Sequence, residues 1–111
     1  MTHNMKLNAE PFETIKNGTK TIELRLYDEK RRKIKIGDTI CFKGKAGTIT
    51  AIVKALLIFR NFDELYAALP LDKCGYNAYE IATASPDDML KYYTKEQIEK
   101  YGVVGIEIEV I

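Results

Sequence analysis

The sequence predicts an α+β domain, and three observations carry the prediction. Two short segments alternate apolar and polar residues with the period of a strand: Ile22-Glu23-Leu24-Arg25-Leu26 and Ile106-Glu107-Ile108-Glu109-Val110. Between them lie segments with the capping residues and the three-to-four-residue spacing of helices. Finally, 111 residues with 46% hydrophobic content are enough for one compact core and too few for two ordinary domains, so residues 1–111 are expected to form a single domain. The order helix, strands, helices, final strand brings the terminal strands into one sheet or barrel.

The elements follow in order along the chain. Pro11 suits the first turn of a helix, Phe12 and Ile15 fall at i and i+3, and Gly18 suits the left-handed position that closes it. The run Gly18-Thr19-Lys20-Thr21-Ile22-Glu23-Leu24-Arg25 is then a helix-to-strand corner. Five basic residues between Lys30 and Lys35 read as a solvated connection ending in a turn at Gly37-Asp38. Thr39 to Lys43 and Thr48 to Phe59 are strand-like, and Gly44-Lys45-Ala46-Gly47 has the length of a hairpin loop. The second of these strands is long enough to bend. Asn61, Ser85 and Thr94 each stand where a helix cap belongs, the first with Glu64 three residues on. Residues 71–84 carry no clear pattern. Val103 to Val110 is a closing strand with an acidic outer face.

Composition removes several classes of function. No stretch reaches the roughly 18 apolar residues of a membrane span, and the first ten residues lack a leader pattern, so the expectation is a soluble, cytoplasmic protein without a membrane partner. Cys41 and Cys74 have no second thiol or histidine at ligand spacing; no metal site and no cofactor is expected. The only histidine, His3, falls in a terminus that reads as frayed, which leaves any catalysis to lysine, acids, hydroxyls or backbone. Residues 1–60 hold 13 Lys/Arg against 6 Asp/Glu, and residues 61–111 hold 4 against 10, an asymmetry that suggests a face for an anionic partner.

Chemistry concentrates at the corner. Thr21, Glu23 and Arg25 share one face of the strand, and the glycine beside Lys20 lets the chain turn that lysine toward the same side. Arginine offers a planar fork and lysine a compact cation to a phosphate or carboxylate, with Glu23 holding both. Flanked by cations, Glu23 has its pKa lowered and serves as a positioning group more than as a general base. On this reading the charges face outward, and replacing them leaves the fold intact. Residue types alone favour a surface salt bridge on an exposed strand face, worth about 0–1 kcal/mol and without function. Lys30-Arg31-Arg32-Lys33 offers a second possible grip on phosphate, and Tyr76, Tyr79, Tyr92, Tyr93 and Tyr101 offer rings for stacking on bases or for the core.

The string Gly18-x-Lys20-x-x-Glu23-x-Arg25 resembles the G-x-K-x-x-E-x-R signature of the ASCH domain family, a branch of the PUA-like superfamily. The strand IKIGDTICF and the closing YGVVGIEIEV extend the resemblance over most of the chain. It implies a β-barrel of about five to six strands flanked by short helices, with the motif lining a cleft that binds RNA or a nucleotide through Lys20, Glu23 and Arg25. Some relatives are metal-independent hydrolases acting on RNA or a modified nucleoside. The chain is similar at this motif to N4-acetylcytidine amidohydrolases, which places their catalytic lysine at Lys20. Their threonine nucleophile falls at Glu23, and Thr21, about 6.6 Å away along the strand, is the nearest substitute. For an enzyme of this kind the catalytic candidates are therefore Lys20, Glu23 and Thr21, with Glu80 for the downstream glutamate. A ribonuclease would pair Lys20 with a tyrosine or serine that the sequence does not single out. A protein-interaction module, as in transcriptional coactivators, is the third possibility.

Overall fold

The computed structural model describes residues 1–111 and contains five strands and five short α-helices. In chain order these are β1 (Thr2–Lys6), α1 (Ala9–Lys16), β2 (Ile22–Leu26), α2 (Glu29–Arg32), β3 (Thr39–Gly44), β4 (Gly47–Phe59), α3 (Phe62–Ala68), α4 (Ala78–Ile81), α5 (Lys95–Tyr101) and β5 (Val103–Val110), with a 3-10 helix at Pro86–Lys91 before α5. The strands form one mixed sheet in the order β1-β3-β4-β5-β2. Only β1 and β3 run parallel; the other pairs are antiparallel.

Local signals account for most of these elements. Asn61 accepts from the Glu64 N–H at 2.9 Å, and Ser85 and Thr94 each form a reciprocal capping box, so all three predicted helix starts are real, the second opening a 3-10 helix. After α1, Gly18 takes a φ of 84° and turns the chain into β2. The long β4 shifts register against β5 between Val53 and Ala55, the bend its length suggests.

The N-terminus is not frayed. Residues 2–6 pair in parallel with β3, and His3 Nε2 lies 2.9 Å from Asp38 Oδ2, with its side chain almost covered. Lone residues such as His3 and Asn4 give no alternation to read; β1 exists because β3 presents an open edge. The basic connection also contains a helical turn, α2, capped by Asp28 and tied by an Arg31 to Asp28 ion pair at 3.0 Å.

The sheet curls into a half-barrel flanked by helices. Its two end strands are β1 and β2, yet Arg25 on β2 donates to the Lys6 carbonyl on β1 at 3.0 Å, which requires the edges to approach across the open side. Inside the curl lies one apolar core, with Phe42, Ile40, Val53, Val104 and Ile106 all fully buried. A second core lies outside β2 and β5, where Ile22, Leu24, Leu26 and Val103 pack against Phe62, Leu65, Cys74 and Met89 of the following layer.

Gly105 marks the closest approach of that layer to the sheet. A methyl group there would lie 2.8 Å from Leu69 Cδ1 and 3.1 Å from Ile22 Cγ2. Gly105→Ala is therefore expected to lower stability by about 1–3 kcal/mol through overpacking, read as a shifted urea midpoint at unchanged m-value.

Candidate functional site at the open side of the half-barrel

The register of β2 decides which of its faces meets solvent. Glu23 stands opposite Ile106 and Arg25 opposite Val104, both residues of the inner core, so the charged face of β2 points into the curl and its aliphatic face points outward to α3 and the 3-10 helix. The sequence expectation of an outward charged face is thus inverted. Both faces are covered, and Glu23 retains only 4% of its accessible surface. It is no surface decoration.

Each carboxylate oxygen of Glu23 has its own cation. Lys20 Nζ lies 2.8 Å from Oε1, while Arg25 donates Nε–H and Nη2–H to Oε2 at 3.0 and 2.9 Å. The second bond of Nη2, to the Lys6 carbonyl, pins the guanidinium between the two sheet edges. Burial alone drives the Glu23 pKa up, but the charges and hydrogen bonds of Lys20 and Arg25 outweigh it and hold the carboxyl below its ordinary value of 4.5.

Lys20 is positioned by backbone. Its N–H donates to the Thr14 carbonyl at 2.9 Å, and the neighbouring Thr21 N–H donates to Lys73 at 2.9 Å. The lysine stem runs against Gly75, where a Cβ would lie 3.1 Å from Cδ and where φ is 107°. Gly75 therefore meets two demands at once, a left-handed backbone and room for the lysine. Cys74 beside it is buried, which pushes its thiol up to about 11 against the pull of Lys20; a thiol in that state is a poor nucleophile.

The triad opens into a cavity of ≈ 540 Å³. One wall comes from the end of β1 and from α1, through Lys6, Leu7, Pro11 and Thr14. Another part of the lining comes from the stretch that the sequence leaves unread and from the 3-10 helix and its C-terminal end: Tyr76, Glu80, Asp88, Tyr92 and Tyr93, with Tyr66 of α3. The charges on the lining balance, with Lys6, Lys20, Arg25 and Lys91 against Glu10, Glu23, Glu80 and Asp88.

Other candidates fall unevenly around this cavity. Thr21 is half-buried and is not part of the lining. Glu80 reaches the rim, but its Oε1 accepts the Asn77 N–H at 2.9 Å in the capping box of α4. The basic residues of α2 lie elsewhere, with Arg32 over the Tyr27 ring at 4.3 Å and bonded to the Tyr101 carbonyl. Tyr93 stacks on Phe62 as a core ring, while Tyr79 and Tyr92 are exposed. No three His, Cys, Asp or Glu side chains converge at metal-ligand spacing, and no helix is long and apolar enough to cross a membrane.

Sequence reasoning misses Tyr66, Gly75 and Asp88. Tyr66 and Asp88 fall within helices whose apolar spacing and caps dominate the local signal, and nothing near Gly75 predicts that it will face a lysine 55 positions earlier. Gly75 followed by Tyr76 was the one hint, a turn residue before an aromatic.

A five-stranded mixed sheet curled into a half-barrel and flanked by helices matches a PUA-like barrel fold. Within that class the chain belongs to the ASCH domain family, whose model matches residues 5–111. It is similar to the crystal structure of hypothetical protein PH0355, at 39% identity and a TM-score of 0.84 with all of each chain covered. It is also similar to the solution NMR structure of protein PF0455 from Pyrococcus furiosus, at 39% identity and a TM-score of 0.75 over 100% of this chain and 98% of that one. No curated protein matches the chain.

Burial of the triad sets its thermodynamics. Glu23→Gln leaves two cations without a counterion and is expected to cost roughly 3 kcal/mol at pH 7, the low end for a broken buried pair because water reaches Lys20 and Arg25 in part. Since the folded pKa of Glu23 is depressed, its share of stability is complete above about 4.5 and is lost as pH falls through the folded value. Denaturant titrations from pH 7 to pH 2 should show the gap between wild type and Glu23→Gln closing in acid; a gap that is constant with pH would contradict the pairing.

Proposed function

We propose that this chain binds a single nucleotide, free or as an unpaired residue of RNA, in the cavity at the open side of the half-barrel. The observation that carries the reading is the convergence of Lys20 and Arg25 on buried Glu23 at the mouth of a cavity of ≈ 540 Å³. That volume is within the range of small-molecule sites, about 300–1,000 Å³, and does not call for a duplex. Lys20 has two ammonium protons beyond its bond to Glu23, and Arg25 Nη1 donates to no protein atom. These are donors fixed in place before a ligand arrives, suited to one phosphate or carbonyl. Glu23 sets their geometry and removes most of their net charge. Around them, exposed Tyr92 supplies a ring face and Leu24 and Met89 supply apolar wall.

The balanced lining argues against a broad electrostatic grip on a nucleic-acid backbone. Two features weigh against turnover at the motif: Thr21 lies off the cavity wall, and Glu23 is held ionised by two partners, which makes it a weak base. Hydrolysis and protein interaction are accordingly outcomes that an assay can reveal and that no specific contact favours.

Two measurements test the reading. Titration of wild type with nucleoside monophosphates and short single-stranded RNA should show affinity falling with salt at a log–log slope of only about −0.7, the value for one phosphate contact. Arg25→Ala should weaken that binding by roughly tenfold to a hundredfold, the worth of a charged hydrogen bond, in samples shown by circular dichroism to be folded. Equal affinity of Arg25→Ala and wild type would remove the cavity as the binding site. In the same samples, with chelator present, N4-acetylcytidine and RNA should remain uncleaved; product formation that Lys20→Ala abolishes would replace binding by hydrolysis.

A further inference from the structure

In the cavity that the triad lines, the Tyr66 and Tyr76 hydroxyls lie 2.6 Å apart, and the Tyr76 O–H donates to Asp88 Oδ2 at 2.9 Å. All three residues line the cavity. The two rings meet edge to face at 5.9 Å, and Tyr66 in turn meets Phe62 edge to face, so both phenols are fixed in orientation. Asp88 is fixed as well, because the same Oδ2 accepts the Ser85 N–H at 3.2 Å in the capping box of the 3-10 helix.

Proton bookkeeping gives this chain a direction. A carboxylate only accepts, and a phenol has a single proton. Tyr76 spends its proton on Asp88, so in the short bond between the phenols Tyr66 must be the donor and Tyr76 the acceptor. The Tyr66 proton is then used, and the oxygen of this cavity-lining residue keeps an acceptor lone pair; Tyr76 is its one hydrogen-bond partner. The cavity thus holds fixed donors at Lys20 and Arg25 and a forced acceptor at Tyr66. Burial, which pushes the pKa of both phenols upward, keeps the two protons in place at neutral pH.

We infer that the Tyr66-Tyr76-Asp88 chain makes the cavity selective for bases that present an amino group, as in adenine or cytosine, over their oxo counterparts. The inference rests on the nucleotide reading above and adds the choice of base to it. An amino N–H completes the free lone pair of Tyr66, whereas an oxo group would set two acceptor oxygens against each other with no proton between them. Selectivity originates at Asp88, which acts by fixing the proton of Tyr76 and, through it, that of Tyr66. Tyr76 and Asp88 are in this sense positioning residues.

The test uses two pairs of nearly isosteric probes, AMP against IMP and CMP against UMP, titrated into folded protein by calorimetry. Wild type should bind the amino member of each pair about tenfold more tightly, the worth of one hydrogen bond. Tyr76→Phe releases the Tyr66 proton to point into the cavity and should abolish or reverse both preferences while binding persists. Asp88→Asn, which keeps an oxygen for Ser85 but can also donate, should flatten the preferences and serves as the second variant if Tyr76→Phe does not fold. Arg25→Ala should weaken all four probes alike and leave the ratios unchanged. Wild-type binding without an amino preference, or a preference that survives both Tyr76→Phe and Asp88→Asn, overturns the inference and leaves nucleotide binding standing. Failure of all four probes to bind wild type overturns the nucleotide reading together with the inference.

Discussion

A carboxylate buried at the open side of a curled sheet is the constraint around which this molecule is arranged. Glu23 retains almost no accessible surface, and an isolated charge there would be untenable. It is ionised because Lys20 takes one oxygen and Arg25 the other. The same arginine reaches the Lys6 carbonyl, so neutralising Glu23 and holding the two sheet edges together are one act. In a closed barrel a ladder of backbone bonds would join β1 to β2; here a side chain spans that side, and the gap that remains is the cavity.

This arrangement also explains the charge balance of the site. A phosphate grip built from free lysines and arginines is strong and indiscriminate, because most of its free energy comes from released counterions. Pairing both cations with Glu23 gives up much of that attraction but fixes the direction of the remaining donors. Tyr66 and Tyr76 in the same cavity are organised in the same manner, with Asp88 imposing an order on the two phenols. Each group thus has an acid that settles what its neighbours can offer. If the cavity binds a nucleotide as proposed, such fixed donors and acceptors select among bases, since leaving a buried group unmatched is costly.

Much of the local structure was legible in the chain. Gly18, Asn61, Ser85 and Thr94 act as predicted because helix caps and left-handed closures are satisfied within a few residues. The strands β2 and β5 were readable from their alternation. The strand β1 was not, since its stability comes from the edge of β3 and not from its own pattern. The face assignment of β2 failed for a related reason. Alternation tells which residues share a face, but a polar face points to water only if nothing covers it, and in this fold the helical layer covers the aliphatic face while the curl encloses the charged one.

The sequence by itself determined the class of fold, the family signature and the grouping of Lys20, Glu23 and Arg25, because each depends on residues close together in the chain. Tertiary structure alone decided that Glu23 is buried, that Arg25 ties β2 to β1, and that Gly75 makes room for Lys20. It alone brought Tyr66, Tyr76 and Asp88 into a hydrogen-bonded line in the cavity that the triad also lines. The reason is one of range. Caps, periods and motifs are interactions between near neighbours, whereas burial and proton order arise only when distant segments share a volume from which water is excluded.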